Sequence, residues 1–128
     1  MNEDVEYLDL DDILELALRL LGEPLPIRDV GLLGSAAARP ATTAFGADVY
    51  PDLWHKAAAL LQSIVKNHAL IDGNKRLGWL ATAVILELNG VDTTRIPNDD
   101  VYRFVMRTAA GDDDVPTLAG VLERLANR

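Results

Sequence analysis

The sequence predicts an all-α fold that carries one small β-hairpin flap. Apolar residues recur at the three- and four-residue spacing of a helix along most of the chain. Residues 38–51, which read ARPATTAFGADVYP, break that spacing with Pro40, two adjacent threonines and a glycine. The length of 128 residues and the 49% hydrophobic content are typical of one globular domain with its own core. One domain is therefore expected over residues 1–128.

The first two helices are expected at residues 9–21 and 27–38. Asp9 and Asp12 offer caps and negative charge at the start of the first helix, and Gly22 ends it. Two prolines then mark a turn, and the second helix is weakened by its two glycines. The segment that follows is interpreted as an extended flap or hairpin because its Thr and Phe residues favour strands.

The two strongest helical patterns flank a short polar link. The first begins at Asp52 and reaches about Asn67, and the second runs from the link to the stop signal at residues 89–90. Two amphipathic helices joined in this way are expected to pack against each other and hold the link between them. Further helices are predicted at residues 98–109 and 116–127, with an acidic linker between them.

The amino-acid composition and net charge exclude some classes of site and partner. There is no Cys, so disulfides and thiolate zinc sites are excluded. The acidic N-terminus does not resemble a signal peptide and no apolar run has the length of a membrane span, so a soluble, cytoplasmic protein is expected. A net charge of −8 argues against nucleic acid as the main partner.

The charge is unevenly distributed along the chain. Residues 1–23 contain eight acids and one Arg, whereas residues 52–79 contain two acids and four cations, namely Lys56, Lys66, Lys75 and Arg76. The polar link is therefore predicted to be a cationic island in an acidic chain. Such an island suits a small polyphosphate better than a nucleic-acid duplex.

The link, NHALIDGNKRLGW over residues 67–79, combines residue types that suit phosphate chemistry. The first turn of a helix has free N–H groups and the positive end of the dipole, and Lys75 and Arg76 add charge there. Gly73 allows close approach of the backbone to a ligand. His68 can accept a proton at neutral pH, and Asp72 can hold a divalent cation against phosphates. Together these residues predict a phosphoryl- or nucleotidyl-transfer site.

The stretch HALIDGNKR resembles the signature loop of the Fic/Doc superfamily, H-x-F-x-[DE]-[GA]-N-[GK]-R. The Lys before the final Arg resembles the Doc branch rather than the AMP-transferring Fic branch. The similarity runs from about Leu8 to the C-terminus and implies a compact Fic-like helical bundle. For Doc relatives it implies a toxin that transfers the γ-phosphate of ATP, with Mg²⁺, to a threonine of elongation factor Tu. It also implies a Phd-type antitoxin as partner, because the inhibitory helix of many Fic proteins is not found in this sequence.

The resemblance assigns a role to individual residues. His68 would deprotonate the acceptor hydroxyl and Asp72 would hold magnesium. The phosphates would be bound by the residues that follow and by one lysine before the loop, namely Gly73, Asn74, Lys75, Arg76 and Lys66. The target polypeptide would be aligned by the flap through Arg39, Thr43 and Phe45.

The chain departs from the superfamily pattern at three places. Leu70 replaces the Phe that anchors the loop, and Ala69 replaces a common Pro after the His. Leu can still fill the core there, with some loss of packing. Trp79 stands where AMP-transferring relatives have a second Arg, and this absence favours the Doc interpretation.

Less specific interpretations of the same residues stay open. His68 alone could be a His favoured by the C-terminal helix dipole, and Asp72 alone a capping residue. The flap could be an ordinary edge hairpin, Lys66 an exposed lysine, and the acidic first helix either solvated or a surface for an antitoxin. Two other functions also remain, AMP transfer to a protein hydroxyl and a binding module that has lost catalysis.

Overall fold

The computed structural model describes residues 4–128, which confirm the all-α prediction with a small β flap. The helices in chain order are α1 (Leu10–Leu21), α2 (Val30–Ala38), α3 (Leu53–Asn67), α4 (Asn74–Leu88), α5 (Asn98–Ala110) and α6 (Val115–Ala126). A short 3₁₀-helix at Arg39–Ala41 leads from α2 into the antiparallel strands β1 (Thr43–Ala44) and β2 (Ala47–Asp48). Met1, Asn2 and Glu3, which belong to the acidic N-terminal segment counted above, lie outside the described residues.

The starts of α1 and α3 are fixed by side-chain caps that the sequence indicates. At α1, Asp9 accepts from the amide of Asp12 and Asp12 accepts from the amide of Asp9, which is a reciprocal capping box. At α3, Asp52 accepts from the amide and the ring Nδ1 of His55. Burial raises the pKa of Asp52, but the hydrogen bonds from His55 and its charge lower the pKa by more than burial raises it. The pKa of Asp52 therefore lies below its ordinary value.

Helix α3 is the centre of the fold. It packs against α2, α4, α5 and α6, while α1 packs on α2 and α4. Its sides are lined by small and branched apolar residues that exclude solvent almost completely, from Ala57 to Leu61 and at Ile64 and Val65. Since burial of apolar area is the main stabilising term in folding, α3 and its contacts form the core that supports the neighbouring loops.

Helices α3 and α4 approach each other closely where the link between them begins. A Cβ built on Gly78 of α4 would lie 2.7 Å from Cγ1 of Val65 on α3. A side chain at this position would therefore force the two helices apart or displace Val65. The missing side chain of Gly78 brings the end of one helix and the start of the next into one compact unit.

The structure corrects the start of the second helix. The sequence predicted residues 27–38, but α2 begins at Val30 with Asp29 as its N-cap. Ile27 is extended and forms an antiparallel bridge with Leu70 of the link. The amides of Arg28 and Asp29 both donate to the carbonyl of Ala69, at 2.8 and 2.9 Å, so tertiary pairing takes the place of the first helical turn.

One buried and one half-buried cation anchor the base of the flap. The Nζ of Lys56 on α3 is almost fully buried and donates to Asp48 Oδ2 at 3.1 Å and to the carbonyl of Tyr50 at 2.8 Å. The guanidinium of Arg39 contacts Tyr50 Oη and the α3 residues Gln62 and Ser63. The short hairpin is thus held at its base, while its strands are exposed.

Within residues 4–128, none of the helices combines the length and the apolar character that crossing a membrane requires.

Candidate active site

The link between α3 and α4 forms an open cleft of about 330 Å³. Its walls come from the end of α3, the link itself and the first turn of α4. The lining residues are Val65, His68, Ile71, Asp72, Gly73, Asn74, Lys75 and Arg76. The structure therefore brings together the imidazole, the carboxylate and the two cations that the sequence predicts.

His68 ends α3 in an unusual backbone conformation. Its φ and ψ angles are 53° and 45°, which is the left-handed region that most residues avoid. A residue there is disfavoured by about 1–2 kcal/mol and persists only when its surroundings hold it. The turn takes the chain out of the helix and leaves the His68 side chain exposed on the wall of the cleft.

The start of α4 leaves backbone donors free for a ligand. Gly73 is the N-cap, and no side chain among the described residues caps this helix. The first intrahelical hydrogen bond runs from Leu77 N to Gly73 O, so the amides of the three residues between them have no helical acceptor. Free amides at the positive end of a helix dipole are the elements of an anion site.

Gly73 is required by its conformation and by its packing. Its φ of 93° lies in the region that favours glycine, and a Cβ there would lie 2.9 Å from Cδ2 of Leu21 on α1. From the sequence, Gly73 is expected to allow a ligand to approach. The structure adds that its missing side chain also allows α1 to pack beneath the cleft.

Asn74 closes the link by hydrogen bonding to its own loop. Its Oδ1 accepts from the amide of Leu70 at 3.0 Å, and its Nδ2 donates to the carbonyl of Leu70 at 2.9 Å. The carboxamide is thus committed to holding the loop, although Asn74 also lines the cleft. Its contact with phosphate stays a prediction.

The two substituted positions of the signature loop anchor it in the core. Leu70 and Ala69 are each 1% exposed and belong to the hydrophobic core. This confirms the expectation that Leu can fill the place of the Phe. The neighbouring Ile71 points the other way, since it is 74% exposed and lines the cleft.

The charged groups of the cleft are available to a ligand. Lys75 and Arg76 are exposed, and within residues 4–128 neither forms a salt bridge or a side-chain hydrogen bond. Among the described residues, the amide of Gly73 is the only donor to Asp72 and bonds to its Oδ1 at 2.9 Å, which leaves Oδ2 without a hydrogen bond. An imidazole, a carboxylate and two cations in one cleft can bind a polyanion, hold a cation against it and accept a proton.

The other two cations of the predicted island do not reach the cleft. Lys56 is buried at the flap, and the Nζ of Lys66 donates to the carbonyl of Gly111 at 2.6 Å. Neither residue lines the cleft. The cationic character of the cleft therefore comes from Lys75 and Arg76, and the phosphate contact assigned to Lys66 finds no support in its position.

The flap residues fall into two groups. Thr43 lies in β1 and Phe45 occupies the turn, where it is fully exposed with a φ of 54°. Arg39 lies outside both strands, in the 3₁₀-helix, and its guanidinium is bound to Tyr50 and α3. In this structure Arg39 anchors the base of the flap, and target alignment by Arg39, Thr43 and Phe45 stays a prediction.

Arg28 is a residue at the site that the sequence analysis did not identify. Its Nε donates to the carbonyl of His68 at 2.7 Å, and its Nη2 donates to the carbonyl of Asn67 at 3.2 Å. These contacts join positions 40 and 39 residues apart in the chain. Nothing in the local pattern around Arg28 indicates them, because the residue precedes α2 in a segment that reads as helical.

The fold and the cleft together define a class of protein, a helical domain in which a loop between two packed helices presents two exposed cations and an uncapped helix start beside an imidazole. Comparison with known families specifies that class. The family model described as Fic/DOC family matches residues 7–86, which is more than half of the chain. The chain therefore belongs to the Fic/Doc family.

One relative of this chain is the Toxin Doc of Mycolicibacterium smegmatis. The two sequences are 45% identical over 122 residues, which cover 94% of each chain. The match extends well beyond the signature loop, so the similarity includes the helices that hold the cleft as well as the cleft itself.

Proposed function

We propose that this protein is the toxin of a toxin–antitoxin pair and acts as a protein kinase. The proposed reaction transfers the γ-phosphate of ATP to a Ser or Thr hydroxyl of a translation factor, with elongation factor Tu as the expected substrate. The observation that carries this proposal is the cleft, in which His68, Asp72, Lys75 and Arg76 converge beside the uncapped start of α4. The 45% identity to a protein named Toxin Doc supports the toxin role.

His68 is proposed as the general base. Its neutral imidazole takes the proton of the acceptor hydroxyl as the oxygen forms a bond to the γ-phosphorus. The bond between the γ-phosphorus and the bridging oxygen breaks, and ADP leaves. The free amides of α4, Lys75 and Arg76 are proposed to stabilise the charge that develops on the phosphate oxygens.

Asp72 is proposed to hold Mg²⁺ together with the phosphates. Within the described residues there is no cluster of three or more His, Asp or Glu side chains that could bind a metal by itself. A single carboxylate with a free oxygen fits Mg²⁺, which is commonly held by one or two carboxylates and the phosphates of its substrate. When bound, Mg²⁺ would neutralise charge on the triphosphate.

AMP transfer is the alternative reaction for the same cleft. Two residues favour phosphate transfer over it: Lys75 stands where AMP-transferring relatives usually have Gly, and Trp79 stands where they have a second Arg. In Doc relatives the bulkier cation accompanies a reversed nucleotide that presents its γ-phosphate, and this similarity supports the kinase proposal.

A Phd-type antitoxin is proposed as the partner that restrains the enzyme. The support is the Toxin Doc relative, together with the sequence, in which no inhibitory helix of the Fic type is found. Such partners fold a disordered segment onto the toxin surface.

The test incubates the protein with Mg²⁺, elongation factor Tu and ATP labelled at either the γ or the α position. We expect γ label on the factor, no α label, and loss of labelling in His68→Ala. Label from the α position would establish AMP transfer instead. Failure to bind nucleotide at all would indicate a binding module without catalysis.

A further inference from the structure

The guanidinium of Arg28 spans the end of α3 and holds the backbone of the residue proposed as the general base. A helix leaves its last carbonyls without partners, and the negative end of its dipole lies there. Arg28 satisfies two of these carbonyls, those of Asn67 and His68, at 3.2 and 2.7 Å. Within residues 4–128 no other donor contacts either carbonyl.

The same segment also fixes the backbone on the far side of His68. The amides of Arg28 and Asp29 donate to the carbonyl of Ala69, and the amide of Ile71 donates to the carbonyl of Pro26 at 2.7 Å. The backbone is thus held from residue 67 to residue 71. Among residues 4–128, the guanidinium of Arg28 is the only donor to the carbonyls of residues 67 and 68.

His68 needs such support because its conformation is unfavourable. The left-handed backbone directs its side chain toward the cleft, and a change to an extended or right-handed helical conformation would redirect the bond from Cα to Cβ. Conformations of this kind persist only where the surroundings hold them. The amides of Arg28 and Asp29 restrain the adjacent residue through their hydrogen bonds to the carbonyl of Ala69. The guanidinium of Arg28 restrains His68 directly, through the His68 carbonyl.

We propose that Arg28 is a positioning residue for His68: its guanidinium keeps His68 in the left-handed conformation that holds the imidazole in the cleft. The inference rests on the proposed function, since it matters for catalysis only if His68 accepts the proton. Arg28 does not line the cleft, so its effect on the reaction passes through the backbone of His68.

A first experiment measures the conformation without requiring any activity. Arg28→Met keeps the apolar stem and removes all five donors, whereas Arg28→Lys keeps a charge and a donor. Arg19→Met is the matched control, because Arg19 is also exposed and its ion pair with Glu15 lies on α1, away from the link. The three-bond coupling between the amide and α protons of His68 reports its φ angle. We expect it to change in Arg28→Met, to stay near the wild-type value in Arg19→Met, and to lie between these values in Arg28→Lys.

A second experiment measures transfer by the same variants. Displacement of a catalytic group by about 1 Å can cost about a hundredfold, so we expect Arg28→Met to lower kcat by about tenfold to a hundredfold. The KM for nucleotide should stay close to the wild-type value, because Lys75, Arg76 and the α4 amides are untouched.

The outcomes separate this inference from the proposed function. A wild-type protein that transfers nothing contradicts the proposed function, and the coupling measurement still decides whether Arg28 holds His68. A normal coupling or a normal kcat in Arg28→Met overturns the inference. Should Arg28→Met fail to fold, Arg28→Lys decides by the same criteria: wild-type coupling and kcat overturn the inference, and partial changes in both support it.

Discussion

At the scale of residues, the four cations near the link differ in what their side chains contact. Lys56 is buried beside Asp48, and Lys66 donates to the carbonyl of Gly111. Lys75 and Arg76 are exposed and line the cleft without a carboxylate partner among the described residues. The four cations therefore differ in their contacts: Lys56 anchors the flap and Lys66 contacts the loop after α5. Among these four, Lys75 and Arg76 are the two that line the cleft in which phosphate binding is proposed.

This difference predicts opposite results for two lysine variants. Lys75→Ala should weaken nucleotide binding by about tenfold or more, because a hydrogen bond to a charged group contributes about 1.5–3 kcal/mol. Lys66→Ala should leave the nucleotide Kd unchanged, since its ammonium group is bound outside the cleft. Titration calorimetry with a non-hydrolysable ATP analogue and Mg²⁺ measures both. Equal weakening by the two variants would contradict the assignment of the cleft.

At the scale of elements, the helices can be predicted from the local sequence pattern, whereas the connections between them cannot. The start of α3 at Asp52 and the end of α4 before Asn89 agree with caps and stop signals in the sequence. The start of α2 was misplaced because Ile27 pairs with Leu70, a contact between distant parts of the chain. Helical periodicity carries no information about such pairing, so the extended segment could not be predicted.

The stability of the flap depends on the side chains at its base, and Lys56 is the most deeply buried cation among them. Two exposed pairs of residues cannot hold a hairpin by themselves, and the buried ammonium group of Lys56 supplies the anchor through Asp48 and Tyr50. This dependence is not visible in the sequence, where Lys56 reads as one more cation on a helix.

Lys56→Met should therefore loosen the flap selectively. We expect the amide of Val49, which donates to Thr42 at 2.9 Å, to exchange its hydrogen about tenfold faster, a moderate effect because Asp48 is half exposed. Lys66→Met is the matched control on the same helix, and its flap should exchange at the wild-type rate. Similar acceleration in both variants, or acceleration throughout α3 and α4, would show that Lys56 supports the whole core instead of the flap.

At the scale of the whole molecule, an acidic chain places two adjacent exposed cations at one cleft. The net charge is −8, yet Lys75 and Arg76, which have no salt bridge within residues 4–128, lie beside the uncapped positive end of the α4 dipole. Such a distribution favours a small polyanion over a long nucleic acid, whose backbone needs an extended cationic face.

The sequence alone identified most of this cleft and missed the contacts that support it. His68, Asp72, Lys75 and Arg76 are close together in the chain, so a link between two packed helices brings them together whatever the rest of the fold does. Arg28 comes from a segment about 40 residues earlier, and its contact with His68 depends on the docking of that segment against the link. Contacts of this kind require the three-dimensional fold.

The central claim is that the cleft presents the γ-phosphate of ATP to a protein hydroxyl activated by His68. The most direct measurement is the intact mass of elongation factor Tu after incubation with the protein, ATP and Mg²⁺, with His68→Ala as the control. We predict a gain of one phosphate on a Ser or Thr, and no gain with the variant. A gain of one AMP, or an unmodified factor in the presence of folded, nucleotide-bound protein, would contradict the claim.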